Sequence, residues 1–560
     1  MMRPSRPRGV LRTLALAAIL TTTLSARTPQ QTPPQGAAPA PAVPSRASVL
    51  RGEYGRYRAN NDLRSYHLDI RVDPAKKLVS GKTTIRFRML ADDTRIQIDL
   101  YANLAVDKIL LGSTPLKYER ELNAVFIDFP EALKKGRDYS IDFYYSGTPQ
   151  RQGRFGGFVF SETPAGKPWI FTACEGEGSS LWWPSKDQWH DEVENMDISI
   201  ALPNGLVDAS NGRFVGKTDL GDGFTRWDWH VSYPINSYNV SINATNYEHF
   251  SDTLGDVTLD FYATPENLDK AKAQFAQAKP MIEAFKHYFG EYPFPKDGYK
   301  LIEVPYTGME HQTAVTYGNG FRNGYGGRDW TGVGISPKFD FIIIHESGHE
   351  WFGNAVSAAD ASDMWIQEGW CTYLEGLYVE QMFGYDDGLK YVNGYKTKVQ
   401  NRTPVVRQRG LHQSPQGNDQ YFKGALFLNT LRSVVNDDKK WWTIVRGVYD
   451  TFKYKNIMTE DIVKYFNEKT GRDLTPVFDQ YLRNIALPTL ELKFDAEAGT
   501  VAYRWKADVA AFAMPIKVGT KDKWQIIEPT TSAWKTMKTT LTKDTFEVAT
   551  DLFYVNVAKE

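Results

Sequence analysis

The hydrophobic period of this sequence changes twice along the chain, and each change indicates a different kind of fold. From about residue 62, apolar residues alternate with charged or polar ones, as at Leu68, Ile70 and Val72. Further alternating runs follow, separated by turn residues: Ile85, Phe87 and Met89; Ile96, Ile98 and Leu100; Val125, Ile127 and Phe129. Alternation of this kind predicts strands with one buried face. We therefore expect an antiparallel β domain over residues 51–255.

The pattern becomes helical at Thr264-Pro265-Glu266, where a capping residue, a proline and an acidic residue stand in the order of a helix start. This helix is predicted to run to about His287. A short strand near residues 299–304 and a glycine-rich stretch at 318–335 follow, and helical patterns then continue to about Asn484. Residues 256–488 are predicted to form a mostly helical domain, and residues 489–560 a small β domain. The fold class is multidomain α+β.

The N-terminus has the pattern of an export signal. Four arginines precede the apolar run from Leu14 to Leu20, and small residues follow at Ser25-Ala26. Residues 1–26 are predicted to be a signal peptide, which implies a periplasmic or extracellular protein. Residues 27–50 are rich in Pro, Gln and Ala and are interpreted as a linker.

Charge and cysteine content exclude several classes of function. Lys plus Arg number 66 and Asp plus Glu 67, so no net field attracts nucleic acid or an acidic membrane. No stretch after the signal is long and apolar enough for a transmembrane helix. The only two cysteines, Cys174 and Cys371, are interpreted as buried thiols, with a disulfide as the alternative.

One short motif carries metal chemistry. Residues 341–349 read Phe-Ile-Ile-Ile-His-Glu-Ser-Gly-His. His345 and His349 are four residues apart, so on a helix they project from the same face and can take two corners of a zinc tetrahedron. Glu346, beside the first ligand, is the candidate general base.

A third ligand is predicted at Glu368, nineteen residues after His349 in the segment Trp-Ile-Gln-Glu-Gly-Trp. This segment has a helical pattern, and a second helix can bring a carboxylate to the same ion. Three protein ligands leave one coordination position open, as a catalytic zinc site requires. The sequence therefore predicts one Zn2+ per chain.

These residues resemble the M1 family of gluzincin metallopeptidases. The resemblance includes Trp351-Phe352-Gly353-Asn354 after the second histidine, and Asp363, which is interpreted as a residue that orients a metal ligand. It covers nearly the whole chain after the linker and implies a thermolysin-like catalytic domain between the two β domains. It also implies an aminopeptidase, a hydrolase that releases N-terminal amino acids from peptides. We expect the large C-terminal helical domain of many relatives to be missing and the cleft to be more open.

The resemblance also assigns residues that bind the substrate. Gly308-Met309-Glu310 stands where the family has a Gly-Ala-Met-Glu-Asn strand along the peptide, and Glu310 is expected to bind the free α-ammonium. Glu175 is expected to assist it, and the proximity of two carboxylates is expected to raise the pKa of one of them. The sequence departs from the family at Thr307 and His311, and the sequence does not give the effect of these two departures on the shape of the first pocket.

On the other side of the metal, the segment Tyr421-Phe-Lys-Gly resembles the family's motif at a helix start. Tyr421 is the candidate that stabilises the oxyanion. The expected substrates are peptides with a free N-terminus. A thermolysin-like endopeptidase and a non-catalytic peptide-binding module on the same scaffold are the alternatives, and only the amine-binding carboxylates separate the first from an aminopeptidase. Sequence does not give the preferred N-terminal side chain or the oligomeric state.

Overall fold

Strands occupy the first and last parts of the described chain, and helices occupy most of the middle. The computed structural model describes residues 43–412 and 417–560. Pro44–Glu560 form one unit, so the predicted domain boundaries at 255 and 488 stay predictions. The predicted signal peptide lies outside the described residues. The element order confirms the predicted α+β fold class.

The predicted linker is wrong at its C-terminal end. Helix α1 (Arg46–Gly52) begins after Ser45, whose hydroxyl accepts a hydrogen bond from Ser48 N, and α2 (Arg56–Ala59) follows. The Ser48 hydroxyl donates to the carbonyl of His412 at 2.7 Å. Residues 46–50 therefore belong to the folded part, because a capped helix with a tertiary contact replaces the expected tether.

The first region is rich in strands. Within the described residues the strands are β1 Asn61–Asp73, β2 Leu78–Met89, β3 Asp93–Asp99, β4 Ala105–Leu111, β5 Thr114–Pro115, β6 Lys117–Glu121, β7 Ala124–Leu133, β8 Asp138–Gly147, β9 Gly157–Glu162, β10 Pro168–Ala173, β11 Asn195–Pro203, β12 Val207–Asp208, β13 Arg213–Asp219, β14 Phe224–Val231, β15 Asn243–Thr245, β16 Glu248–Leu254 and β17 Val257–Ala263.

The main sheet of this region has eight strands in the order β13-β14-β11-β1-β2-β8-β4-β5. Leu68, Ile70 and Val72 of β1 are all buried, as the alternation predicts. The pairings are antiparallel except that β1 runs parallel to β11, with Leu68 opposite Ile198. Strands β16 and β17 are not part of this sheet. They join strands of the middle region in a five-stranded sheet ordered β16-β17-β18-β20-β19.

The middle region carries the long helices. Its elements are α3 Leu268–Phe275, α4 Ala278–Phe289, β18 Tyr299–Glu303, β19 Gly308–Met309, β20 Val315–Tyr317, α5 Phe341–Gly348, β21 Val356–Ala358, α6 Trp365–Phe383, α7 Tyr385–Gly394, α8 Asp419–Val435, α9 Asp438–Phe452, β22 Lys455–Ile457, α10 Thr459–Thr470 and α11 Thr475–Leu482. Helices α5, α6 and α8 pack together behind the short edge strand β19.

The single helix predicted from Thr264 to His287 is two helices, α3 and α4, preceded by a 3-10 turn at Pro265–Asn267. The break falls at residues 276–277. Pro280 follows it, and a proline ring clashes with the carbonyl four residues back, here that of Ala276. The short strand predicted near 299–304 is confirmed as β18.

The last region returns to strands, as predicted: β23 Thr489–Asp495, β24 Thr500–Lys506, β25 Ile516–Thr520, β26 Lys523–Ile527, β27 Lys535–Lys538, β28 Glu547–Val548 and β29 Asn556–Lys559. Cys174 and Cys371 are both free and buried, which confirms the interpretation as thiols. In the part of the chain that the structure covers, no helix combines the length and the apolar character needed to span a membrane.

Candidate active site

Helix α5 delivers both predicted histidines to the floor of a cleft. Asp340 caps the helix by accepting hydrogen bonds from the backbone N–H groups of Ile342 and Ile343. The apolar residues before His345 are buried and fix the helix in the core. His345 and His349 then lie one turn apart on the same face, with ring centroids 5.1 Å apart.

Glu368 of α6 completes a three-residue cluster. Its Oε2 atom lies 3.5 Å from His345 Nε2 and 3.4 Å from His349 Nε2. Zinc ligands at bond lengths of about 2.0–2.1 Å on tetrahedral corners are about 3.3–3.4 Å apart, so these separations suit one zinc ion. Within residues 43–412 and 417–560, Glu368 Oε2 is buried without a hydrogen-bond partner. A buried oxygen of this kind needs a cation or a donor, so the donor set fits a metal.

Both imidazoles are held in the tautomer that a metal needs. His345 Nδ1 donates to Glu375 Oε1 at 2.8 Å, and His349 Nδ1 donates to the carbonyl of Phe352 at 3.1 Å. Each Nε2 is therefore left to face Glu368. Such partners of the ligands fix the ring orientation, and a carboxylate partner also increases the basicity of the imidazole.

The prediction that Asp363 orients a metal ligand is wrong. Its carboxylate receives two hydrogen bonds from the Arg409 guanidinium, at 2.7 and 2.8 Å, and a third from Thr459 N. Glu375 has the role instead. The sequence carried a usable signal for it, because Glu375 lies seven residues after Glu368 on α6, which places the two side chains on the same helix face.

The histidines and carboxylates of the cluster shift one another's pKa values in the direction that favours their charged forms. Burial alone would lower the pKa of His345, but the neighbouring carboxylates of Glu368 and Glu375 raise it well above its usual value. Burial opposes ionisation of Glu368, yet the two histidines lower the pKa of this carboxyl group. A metal takes neutral imidazole, so protonation of these histidines competes with metal binding.

Glu346 lies in the same cleft and is half-buried. One carboxylate oxygen each of Glu346 and Glu310 and one ring nitrogen of His349 all lie within 4.8 Å of one another. Burial, opposed by His345 and reinforced by Glu310, raises the pKa of Glu346 to about 7. A carboxylate with a pKa near neutrality suits a general base.

Gly308 makes the approach of this base to the edge strand possible. A Cβ atom at Gly308 would lie 2.6 Å from Ile342 Cγ2 and 3.1 Å from Glu346 Cγ. A Cβ atom at this position would force Ile342 or the surrounding backbone to shift. Met309, the next residue of β19, is buried and also lines the cleft.

Glu310 is firmly positioned at the end of β19. Its side chain is buried, and its Oε1 accepts a hydrogen bond from the Tyr238 hydroxyl at 2.9 Å. Its backbone carbonyl accepts one from Asn354 Nδ2 at 2.8 Å. Asn354 belongs to the segment that follows His349, so the loop that carries Glu310 is tied to the histidine helix.

Glu175 lines the same cleft and is half-buried. Burial raises the pKa of Glu175 well above its usual value, and the neighbouring Glu310 carboxylate raises it further. This is the direction predicted for two carboxylates that share a site. His311 is fully buried. Thr307 lines the cleft.

Tyr421 reaches the cluster from the first turn of α8. Its ring lies 6.0 Å from the His345 ring, and burial and the charge of Glu368 raise the pKa of its hydroxyl well above its usual value. The hydroxyl therefore keeps its proton and remains a donor. Two glycines allow this approach, because a Cβ at Gly369 would lie 3.0 Å from the Gln420 carbonyl oxygen and one at Gly424 would lie 2.8 Å from Gly369 Cα.

Comparison with known families agrees with this geometry over both major regions. The peptidase M1 N-terminal domain matches residues 63–239, and the peptidase family M1 domain matches residues 273–481. The chain belongs to peptidase family M1. Membership in this family, together with the fit of the ligand set, indicates one catalytic zinc ion bound by His345, His349 and Glu368.

Known relatives include endoplasmic reticulum aminopeptidase 1 of Homo sapiens, 25% identical over 352 residues that cover 60% of this chain and 36% of that protein. A probable aminopeptidase 2 of Sulfurisphaera tokodaii is 21% identical over 270 residues, 46% of this chain and 34% of that protein. The chain thus spans about a third of the length of these relatives.

Among solved structures, an M1 zinc metallopeptidase from Deinococcus radiodurans is similar at a TM-score of 0.64 and 20% identity, covering 78% of this chain and 96% of that one. A mutant of an M1 zinc metallopeptidase from the same organism, bound to a Tyr-Ser-Ala substrate, matches with the same TM-score and identity over 78% of this chain and 97% of that one. These likenesses confirm the fold of the N-terminal β-rich region and the helical region.

We expect Glu375→Gln to weaken zinc binding by roughly tenfold or more, because His345 loses the negative charge that supports its basicity. The zinc dissociation constant, measured by competition with a chelating dye, checks this. Glu380→Gln is the matched control, since Glu380 lies on the same helix but binds Arg432. Unchanged zinc affinity in Glu375→Gln would contradict the assignment.

Proposed function

We propose that this protein is a zinc aminopeptidase that removes single amino acids from peptides with a free N-terminus. The observation that carries the proposal is the position of Glu310. Its buried carboxylate lies beside His349 and Glu346, within the group whose ligand atoms are at most 4.8 Å apart. A peptide ammonium held there would be close to the metal ligands. The carbonyl of the same N-terminal residue could then lie at the metal.

The carboxylates select for a free ammonium group. Glu310 and Glu175 put two carboxyl groups at one end of the cleft, and Tyr238 fixes the orientation of Glu310. A peptide ammonium relieves their mutual repulsion and donates charge-assisted hydrogen bonds to them. An acetylated N-terminus offers no charge and leaves buried carboxylates unpaired, which opposes its binding.

The mechanism assigns each remaining residue a task. When bound by His345, His349 and Glu368, zinc supplies Lewis acidity that polarises the first peptide carbonyl and lowers the pKa of water. Glu346 takes the proton of the attacking water and passes it to the leaving amine. The Tyr421 hydroxyl donates a hydrogen bond to the oxygen on which negative charge develops.

A thermolysin-like endopeptidase would use the same metal and the same base, so the separation between the two functions rests on the ammonium site alone. A non-catalytic peptide-binding module is disfavoured, because the positions of the metal ligands, the base and the oxyanion donor are all filled by competent residues whose side chains line one cleft.

The test compares a peptide with its N-acetylated form, each with and without a chelator. We expect hydrolysis of the free peptide only, and its loss when zinc is removed. Glu310→Gln should lower kcat/KM for the free peptide by roughly 10- to 100-fold, because one charge-assisted hydrogen bond is lost. Steady-state kinetics with product analysis by chromatography checks this.

Two further variants separate the roles. Glu283→Gln, an exposed residue of α4, should behave as the wild type. Tyr421→Phe should slow turnover by about a hundredfold without changing the discrimination between free and acetylated peptides. Equal hydrolysis of both peptides would overturn the aminopeptidase proposal in favour of an endopeptidase, and turnover that resists the chelator would overturn the role of zinc.

We also infer that the protein is exported to the periplasm or the exterior. The support is the arginine-rich leader and the short apolar run within residues 1–26. Sequencing the N-terminus of the protein produced in its native host tests this, and a mature chain that retains residues 1–26 would overturn it.

A further inference from the structure

The turn that carries Glu310 contains a strained residue to which the proposed mechanism gives no task. Residues 310–314 connect β19 to β20, and Thr313 in this turn has a φ of 57°. A β-branched residue rarely takes this left-handed conformation, because its Cβ atom comes too close to the backbone carbonyl oxygen. Strain of this kind persists only where the surroundings hold it, and it is concentrated at binding and catalytic sites.

Every polar group of Thr313 is bonded to a segment outside the turn. Its backbone N–H donates to Glu350 Oε1 at 2.9 Å, and its carbonyl accepts a hydrogen bond from Lys300 Nζ at 2.9 Å. Its hydroxyl accepts one from the backbone N–H of Gly212 at 2.8 Å. We call Glu350, Lys300 and Gly212 the Thr313 clamp. Because the clamp comes from three parts of the fold, it can hold the turn against the strain.

Glu350 is the member of the clamp that also reaches Glu310. It is fully buried, and its Oε1 accepts a second hydrogen bond from Asn354 Nδ2 at 3.2 Å. The same Asn354 nitrogen donates to the carbonyl of Glu310 at 2.8 Å. The Tyr292 hydroxyl donates to Glu350 Oε2 at 2.7 Å, so the carboxylate is itself fixed. Glu350 thus holds Thr313 directly and Glu310 through Asn354.

The position of Glu350 ties the amine-binding carboxylate to the metal ligands. Glu350 follows His349 directly in the sequence, so the residue that holds the turn is fixed to the segment that carries a metal ligand. The separation of Glu310 from the metal ligands decides whether the first peptide carbonyl reaches the metal. A displacement of about 1 Å at such a site can slow a reaction roughly a hundredfold.

We propose that Glu350 is a positioning residue for the amine end of the substrate: it holds Thr313 in its strained conformation and so fixes Glu310 at its distance from His349. This inference rests on the proposed function, because that function makes Glu310 the ligand of the peptide ammonium. Glu350 acts through Glu310 and does not touch the substrate.

Glu350→Ala tests the clamp. We expect KM for a peptide with a free N-terminus to rise roughly tenfold or more, because Glu310 loses its fixed position. The value of kcat should stay within about threefold, because the base, the oxyanion donor and the metal ligands keep their contacts. Glu350→Gln keeps an oxygen that can accept from the Thr313 N–H and should recover most of the loss. Steady-state kinetics on the zinc-loaded enzyme checks this, and an unchanged KM or a loss confined to kcat would overturn the proposal.

Relief of the strain provides a test that a purely structural role of Glu350 would not pass. Glycine adopts a positive φ at little cost, so Thr313→Gly should reduce the need for the clamp. Added to Glu350→Ala, it should lower KM severalfold relative to Glu350→Ala alone.

Lys77→Gly is the matched control for this combination. Lys77 also has a positive φ, of 52°, but lies in the exposed turn between β1 and β2. Added to Glu350→Ala, it should leave KM as it is. A KM that Thr313→Gly does not lower, or that Lys77→Gly lowers equally, would contradict a clamp that acts against strain.

Zinc affinity and folding are measured on the same variants. The zinc dissociation constant of Glu350→Ala should stay within about threefold of the wild type, since His349 Nδ1 donates to the Phe352 carbonyl rather than to Glu350. A loss of zinc that accounts for the change in KM would overturn the proposal. If thermal unfolding shows that Glu350→Ala does not fold, Thr313→Ala and Thr313→Gly decide. Both lack the hydroxyl and only the alanine variant keeps the strain, so its KM should be severalfold higher, and equal values would overturn the proposal.

A binding measurement separates this proposal from the proposed function. Calorimetry on zinc-loaded Glu346→Gln, which lacks the base, measures the affinity for leucinamide, an amine that presents the ammonium group of an N-terminal residue. Adding Glu350→Ala should raise the dissociation constant roughly tenfold. If the wild type hydrolyses no free peptide but this difference holds, the proposed function fails and the role of Glu350 stands. If free peptides are hydrolysed and neither KM nor the dissociation constant changes, the role of Glu350 alone is overturned.

Discussion

Glu368 Oε2 is buried between two imidazole nitrogens and has no hydrogen-bond partner among the residues that the structure describes. A lone buried carboxylate oxygen is costly unless a positive charge compensates it. Here either protonation of the two histidines or one bound divalent ion can supply that charge. Much of the site follows from this constraint. Glu375 and the Phe352 carbonyl hold the outer nitrogens of the rings, so the inner nitrogens point at the same small space.

The backbone had to allow this convergence. Helices α6 and α8 meet where Gly369 faces Gly424, which brings Tyr421 to the cluster. Strand β19 reaches α5 at Gly308, which brings the base beside the amine-binding residue. In each place the glycine is required by close approach and lies one to three residues from a side chain with a chemical task. Packing and chemistry are therefore encoded in the same short segments.

Sequence predicted the parts that depend on local pattern. The alternation at β1 and the spacing of His345 and His349 each require only neighbouring residues. The prediction that Asp363 orients a metal ligand was wrong. Its proximity to Glu368 in the sequence does not reveal that its carboxylate binds Arg409 and Thr459 in the fold. The break between α3 and α4 was missed since the apolar spacing hid the effect of Pro280.

X-ray absorption at the zinc edge tests the central claim, the convergence of His345, His349 and Glu368 on one ion, most directly. The structure predicts a shell of nitrogen and oxygen at about 2.0–2.1 Å, with the outer scattering of two imidazoles. Cys371 Sγ, which lies 3.2 Å from the Phe352 carbonyl next to the ligands, offers the competing donor. A sulfur shell at about 2.3 Å, or the signature of fewer than two imidazoles, would contradict the assignment.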